Sequence, residues 1–143
     1  MTDTLAIDIG GTKIDAGRVD SEGKIVKRYR LPTEGADAEV LFDNLVETVE
    51  PLLVEGEFGG CGVGCGGPMA LGGEEVSPLN IPQWRNFPLR SRLAEKLGMA
   101  VAVDNDAKAL ALAEGRLGAA SETLNYIALV VSTGVGAGIV IDG

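Results

Sequence analysis

The chain has 143 residues, 45% of them hydrophobic, which is enough apolar material for one core and too much for a disordered segment. Its net charge of −9 and pI near 4.4 disfavour a nucleic-acid partner, which would want a basic face. No run approaches the ~18 apolar residues of a transmembrane helix, and the polar, acidic residues 1–4 do not form a signal peptide. The expectation is a cytoplasmic protein with neither a membrane nor a nucleic-acid partner.

Residues 5–9 are an apolar run. Residues 13–19 alternate, with Ile14, Ala16 and Arg18 on one side and Asp15, Gly17 and Val19 on the other, which predicts a strand. Gly10-Gly11-Thr12 is then a hairpin tip. It reads either as a plain turn, glycine supplying the positive φ of a tight hairpin, or as an anion cradle. In the cradle, backbone N–H groups approach a phosphate, and Thr12 and Lys13 add a hydroxyl and a charge. Dinucleotide and Walker A motifs do not fit, because both open a helix.

A turn at residues 21–23 leads to a third strand, 24–31. Asp37 caps a helix that carries Leu41, Phe42, Leu45, Val46, Val49, Leu52 and Leu53 at helical spacing, and Pro51 is expected to kink it or end it early. A glycine-rich strand over 58–65 holds Cys61 and Cys65 on one face. They are too far apart for a disulfide and read as buried free thiols. Residues 66–88 are mostly loop. Pro88 opens a helix with Leu89, Leu93 and Leu97, stopped by Gly98. A buried strand at 101–103, a helix over about 107–116 and strands at 126–131 and 138–141 complete the chain. The last two strands flank the loop Ser132-Thr133-Gly134-Val135-Gly136-Ala137-Gly138.

Three antiparallel strands followed by alternating strands and helices match a ribonuclease-H-like lobe of the actin and hexokinase superfamily, an α/β class. The segments 5–14 and 129–139 also repeat a pattern of apolar strand, loop with Thr and Gly, and apolar strand. A duplicated two-lobe kinase would show this, with one phosphate loop per lobe.

Five motifs carry a closer resemblance. They are Asp8-Ile9-Gly10-Gly11-Thr12-Lys13, Gly64-Cys65-Gly66-Gly67-Pro68, Ser77-Pro78-Leu79-Asn80-Ile81-Pro82-Gln83-Trp84, Asp104-Asn105-Asp106-Ala107 and the loop 132–138. In this order they resemble the ROK family, and within it the bacterial sugar kinases of glucokinase type. The resemblance implies an N-terminal lobe over residues 1–120 and the first hairpin of a C-terminal lobe over 121–143. The family's histidine–glycine sugar motif and its cysteine-rich zinc site have no counterpart in this chain, which contains no histidine.

The implied activity is ATP-dependent phosphorylation of a hexose, with ATP and Mg²⁺ as cofactors and a homo-oligomer as the working form. Gly10, Gly11, Thr12 and Lys13 would face the transferred phosphate. Thr133, Gly134, Gly136 and Gly138 would hold the outer phosphates. Asp8 would hold Mg²⁺ through water. Gly67, Asn80, Asn105 and Asp106 would bind the sugar, with Asp106 as general base. Taken alone, Asp104, Asn105 and Asp106 also suit helix capping. Trp84 either packs under the sugar loop or anchors it. The competing readings are a sugar-sensing ROK repressor core, disfavoured by the acidic balance and by a core strand starting at Leu5, and a non-catalytic fragment.

Overall fold

The structure, a computed structural model, describes residues 2–34, 37–54, 56–132 and 134–143. Alternation builds the first sheet as expected. Strands β1 (Asp3–Ile9), β2 (Lys13–Val19) and β3 (Ile25–Pro32) are antiparallel neighbours. β4 (Phe58–Cys65) and β5 (Val101–Asn105) then add in parallel, giving the order β3-β2-β1-β4-β5. Leu5, Ile7 and Ile9 lie opposite Arg18, Ala16 and Ile14 across the β1–β2 ladder, so one face of the hairpin is apolar.

Helix α1 (Ala38–Leu53) covers that apolar face with Leu41, Phe42, Leu45, Val49 and Leu52, all fully buried. Burying each such side chain is worth about 1.5–3 kcal/mol. Asp37 caps it, accepting from the N–H groups of Glu39 and Val40 at 3.0 and 2.9 Å. Pro51 lies in its last turn, where it removes the bond its N–H would make to the Glu47 carbonyl, and the helix ends two residues later. Helix α2 (Leu89–Leu97) follows Pro88 and stops at Gly98, whose φ of 63° is the left-handed helix-ending conformation.

Trp84 is completely buried. It stacks on Phe87 at 4.7 Å and donates its ring N–H to the Ala38 carbonyl at 3.2 Å. It therefore anchors the loop to the start of α1. Cys61 and Cys65 are buried free thiols. Burial pushes both up to about 12, helped at Cys65 by the charges of Asp106 and Asp8.

Two boundaries differ from expectation in a way that matters. β5 runs on to Asn105 and helix α3 begins immediately, at Asp106 and ending at Leu117, so Asp104 is a strand residue. β7 (Val135–Val140) begins earlier than expected. β6 is Tyr126–Val131, and Gly136 joins Gly138 as a strand residue of β7. The reason is packing. A Cβ on Gly138 would collide with the Ala107 carbonyl and the Ala111 side chain, and one on Gly136 would reach the Ala107 Cβ at 3.1 Å. These glycines let the hairpin lie flat on α3, and the Tyr126 hydroxyl adds a hydrogen bond to the Ala111 carbonyl at 2.9 Å. The two strands form a separate sheet. Among the described residues no helix is long and apolar enough to cross a membrane.

Candidate active site

The parallel strands β1, β4 and β5 end together. Their register aligns Asp8 with Gly64 and Asp104, and Ile9 with Cys65 and Asn105. In open α/β sheets, ligands bind outside these carboxyl ends. Four loops converge there. The turn after β1 carries Gly10 and Gly11. The turn after β4 carries Gly66 and Gly67, the loop 77–88 carries Asn80, and the start of α3 carries Asn105 and Asp106.

The contacts between these loops are close. A Cβ on Gly11 would come within 2.5 Å of the Asn80 Cβ, so only glycine fits. Neither Gly10 nor Gly11 has a positive φ, which corrects the expectation of a left-handed hairpin turn. Glycine is required at position 11 for the approach of Asn80, not for backbone freedom. Gly67 faces the Asn105 side-chain nitrogen, 3.7 Å from where its Cβ would stand. The Leu79 N–H donates to the Gly67 carbonyl at 3.3 Å and the Ser77 N–H to the Pro68 carbonyl at 2.8 Å, tying the Asn80 loop to the turn after β4. Gly64 lies 3.6 Å, measured from an added Cβ, beneath the Asp106 Cα, so the first turn of α3 rests on β4.

Polar capacity is left open at this meeting point. The Asn80 amide has no hydrogen-bond partner among the described residues. The Ala107 N–H is shared by Asn105 Oδ1 at 3.1 Å and Asp106 Oδ1 at 2.8 Å, which leaves the Asn105 NH₂ and the second Asp106 oxygen without a described partner. Capping and ligand binding are thus compatible: one oxygen of each residue caps α3 and the remaining groups are left without a described partner. Asp104 is engaged elsewhere, accepting from Lys108 at 3.2 Å.

Asp8 is open to solvent yet partly desolvated by its neighbours. This effect, followed by the charges of Asp106 and Asp15, pushes its carboxyl above the ordinary value, while Lys13 and Arg28 oppose it. Such a carboxylate gains from a nearby cation. Among the described residues no group of three or more acidic, Cys or His side chains could hold a metal. A Mg²⁺ ion here would rely on Asp8, water and phosphate oxygens, a hard oxygen set that suits it.

Asp15 lies opposite Asp8 on β2, and its role was not foreseen in the sequence. It is buried and takes hydrogen bonds from Arg28 Nε and Arg30 Nε, both at 2.8 Å. The Arg28 hydrogen bond is the largest cause holding its carboxyl well below the usual range. The only available signal was an acid on a buried strand facing two arginines spaced for one face of the next. A folded-state pKa below the unfolded one gives stability that is complete above the unfolded value of about 3.9 and is lost as pH falls toward the folded one. Asp15→Asn is therefore expected to be destabilising at pH 7, by a margin that narrows once the pH drops below about 4. Urea unfolding across pH 2.5–7 measures it, and a margin that stays constant over that range would show that the Asp15 charge does not matter.

Thr133 lies outside the described residues. Gly134 is exposed at the hairpin turn, and Gly136 and Gly138 abut α3, whose first turn carries Asp106. Gly10, Gly11, Thr12, Gly67 and Asn80 lie on the converging loops, with Lys13 at the start of β2, Asn105 at the end of β5, Asp106 at the start of α3 and Asp8 near the end of β1.

A five-stranded mixed sheet with a glycine turn after its first strand defines a lobe of the actin–hexokinase kind, and the fold matches that of ROK sugar kinases. The chain matches the ROK family over residues 4–143 and belongs to it. It is 36% identical over 138 residues to a glucokinase of Streptomyces coelicolor, covering 96% of this chain and 43% of that protein. It is 33% identical to an N-acetyl-D-glucosamine kinase of Vibrio parahaemolyticus, covering 95% of this chain and 45% of that one. Among solved structures, it resembles a Streptomyces griseus ROK glucokinase in complex with glucose and AMPPNP, with a TM-score of 0.89 and 35% identity over 98% of this chain and 45% of that one. The chain thus spans less than half the length of each of these three relatives.

Proposed function

We propose that this chain is the sugar-binding, base-bearing lobe of a cytoplasmic ATP-dependent hexose kinase. One observation carries the reading: Asn80 meets the Gly11 turn, Gly67 meets the Asn105 side chain, and the Asn80 amide, the Asn105 NH₂ and one Asp106 oxygen have no partner among the described residues. Hydroxyls of a hexose suit such a set, since each can both donate and accept. The similarity to a glucokinase and to an N-acetyl-D-glucosamine kinase supports the substrate class.

Asn80 and the Asn105 NH₂ bind and orient the sugar, and the Gly66-Gly67 backbone lets its ring approach. The sugar hydroxyl oxygen bonds to the transferred phosphorus as the link to the ADP leaving group breaks, and the free Asp106 oxygen takes the hydroxyl proton. A weak base suffices, because the transition state is loose and the proton leaves late. Backbone N–H groups at Gly10 and Gly11, with Thr12 and Lys13, receive the transferred phosphate, and Thr133 and Gly134 the outer phosphates. Gly136 and Gly138 serve that second loop by seating its hairpin on α3. Asp8 would hold Mg²⁺, which would supply charge neutralisation on the phosphate oxygens. The test is a coupled ADP-release assay with glucose and N-acetylglucosamine, using a two-lobe protein that carries this chain as its N-terminal half. Absence of turnover with every hexose tried removes the kinase reading.

The 143-residue chain alone is expected to fold, to associate with itself and to leave hexoses unphosphorylated. Ile127, Leu129, Val131, Val135 and Ile139 stay exposed on the hairpin face turned away from α3, and neither strand carries a charge. Such faces and edges pair with other chains. Light scattering should show concentration-dependent association that Leu129→Lys abolishes. A wild-type chain that stays monomeric at every concentration, or turns over glucose at ordinary kinase rates, contradicts the expectation.

A further inference from the structure

The loop that presents Asn80 gathers three of its backbone carbonyls around one guanidinium nitrogen. Arg85 Nη1 donates toward three backbone carbonyls: Pro78 at 3.0 Å, Ile81 at 2.9 Å and Trp84 at 2.6 Å. Two successive turns underlie this convergence. The Ile81 N–H bonds the Pro78 carbonyl and the Trp84 N–H bonds the Ile81 carbonyl, both at 3.1 Å. Three-residue turns in series aim their carbonyls the same way, like the end of a short helix, and a cation is favoured there. Two of the three carbonyls flank Leu79 and Asn80. Both of these are exposed, while Pro78, Ile81 and Trp84 on either side are buried. The loop is thus fixed below by Trp84 and from the side by Arg85, and its tip meets Gly11.

The geometry points to Arg85 as a positioning residue that holds Asn80 against the Gly11 turn, coupling the sugar loop to the phosphate loop. Arg85 itself need not touch either ligand. Because one nitrogen serves all three carbonyls, the requirement is for a compact cation with several donors rather than a two-pronged fork. A lysine ammonium, with three donors on a chain of similar reach, meets that requirement.

The ligand side of this inference rests on the sugar-kinase reading, but the positional side is measurable without any ligand. Amide NMR and hydrogen exchange on the 143-residue chain compare wild type, Arg85→Met, Arg85→Gln and Arg85→Lys. With Met, exchange at the Ile81 and Trp84 amides should quicken by about tenfold, the order expected for losing a bond to a charged group. The Gly11 amide and the Asn80 side-chain amide should shift. Lys should resemble wild type, and Gln, which keeps donors without charge, should fall between. If Met prevents folding, the ranking of Gln and Lys decides the matter. Gly11 and Asn80 resonances unmoved by any variant, or a Lys variant that behaves like Met, overturns the proposal. In the two-lobe protein, Arg85→Met should raise the sugar KM about tenfold with kcat within twofold, and Lys should restore it. A wild-type protein that phosphorylates no hexose refutes the kinase reading, while the NMR result still decides the role of Arg85.

Discussion

In the two-lobe protein, Asp106→Asn is expected to cut turnover on the order of 10²–10⁴-fold, the usual contribution of a general base, while sugar affinity and thermal stability stay close to wild type. The substitution is nearly isosteric. The Ala107 N–H that Asp106 Oδ1 now accepts at 2.8 Å is shared with Asn105, so the cap of α3 survives. Asparagine also caps well. What disappears is the second oxygen, unpartnered among the described residues and able to take a proton. Single-turnover kinetics beside a sugar titration separate chemistry from binding. Turnover within a factor of two of wild type would rule Asp106 out as the base.

Gly11→Val should be the most damaging change on the phosphate side. The first side-chain atom would already stand 2.5 Å from the Asn80 Cβ, so either the turn after β1 or the Asn80 loop must move. Both are functional under the proposed reading. The KM for ATP and the KM for sugar should therefore rise together, each by about tenfold or more, as a displacement near 1 Å in an active site can cost roughly 10²-fold. Gly11 lies on an exposed turn outside the core, so melting should shift by only a few degrees. A rise confined to ATP would separate the two loops and contradict the contact. An unchanged pair of constants would remove Gly11 from the site.

The two variants probe different levels of the same geometry. Asp106 tests a chemical group whose position follows from one strand end and one helix start. Gly11 tests the meeting of two loops 69 residues apart, which no local pattern encodes. Arg85 sits between these levels: it is local in sequence to Asn80, yet its effect reaches Gly11 only through the packed loop.

Much of this protein was determined by the sequence alone. Alternation at Ile14, Ala16 and Arg18 specified the first hairpin, because the strand period of two puts those residues on one face whatever lies around them. Asp37 and the run from Leu41 to Leu52 specified α1, and Gly98 ended α2, through caps and periodicity that operate within a few residues. The five motifs, matched in order, located every loop that later converged. Only the tertiary structure decided which glycines serve which purpose. Gly136 reads as a loop residue, yet it lies within β7 beside Gly138, where the Ala107 and Ala111 surface of α3 leaves little room for a Cβ. Gly11 is required by Asn80 rather than by its own φ. Asp15 gained its two arginines only when β3 was laid beside β2. Periodicity and capping are short-range, so they can be read along the chain. Close approach and charge pairing between distant segments depend on how the elements pack, and that is fixed only in three dimensions.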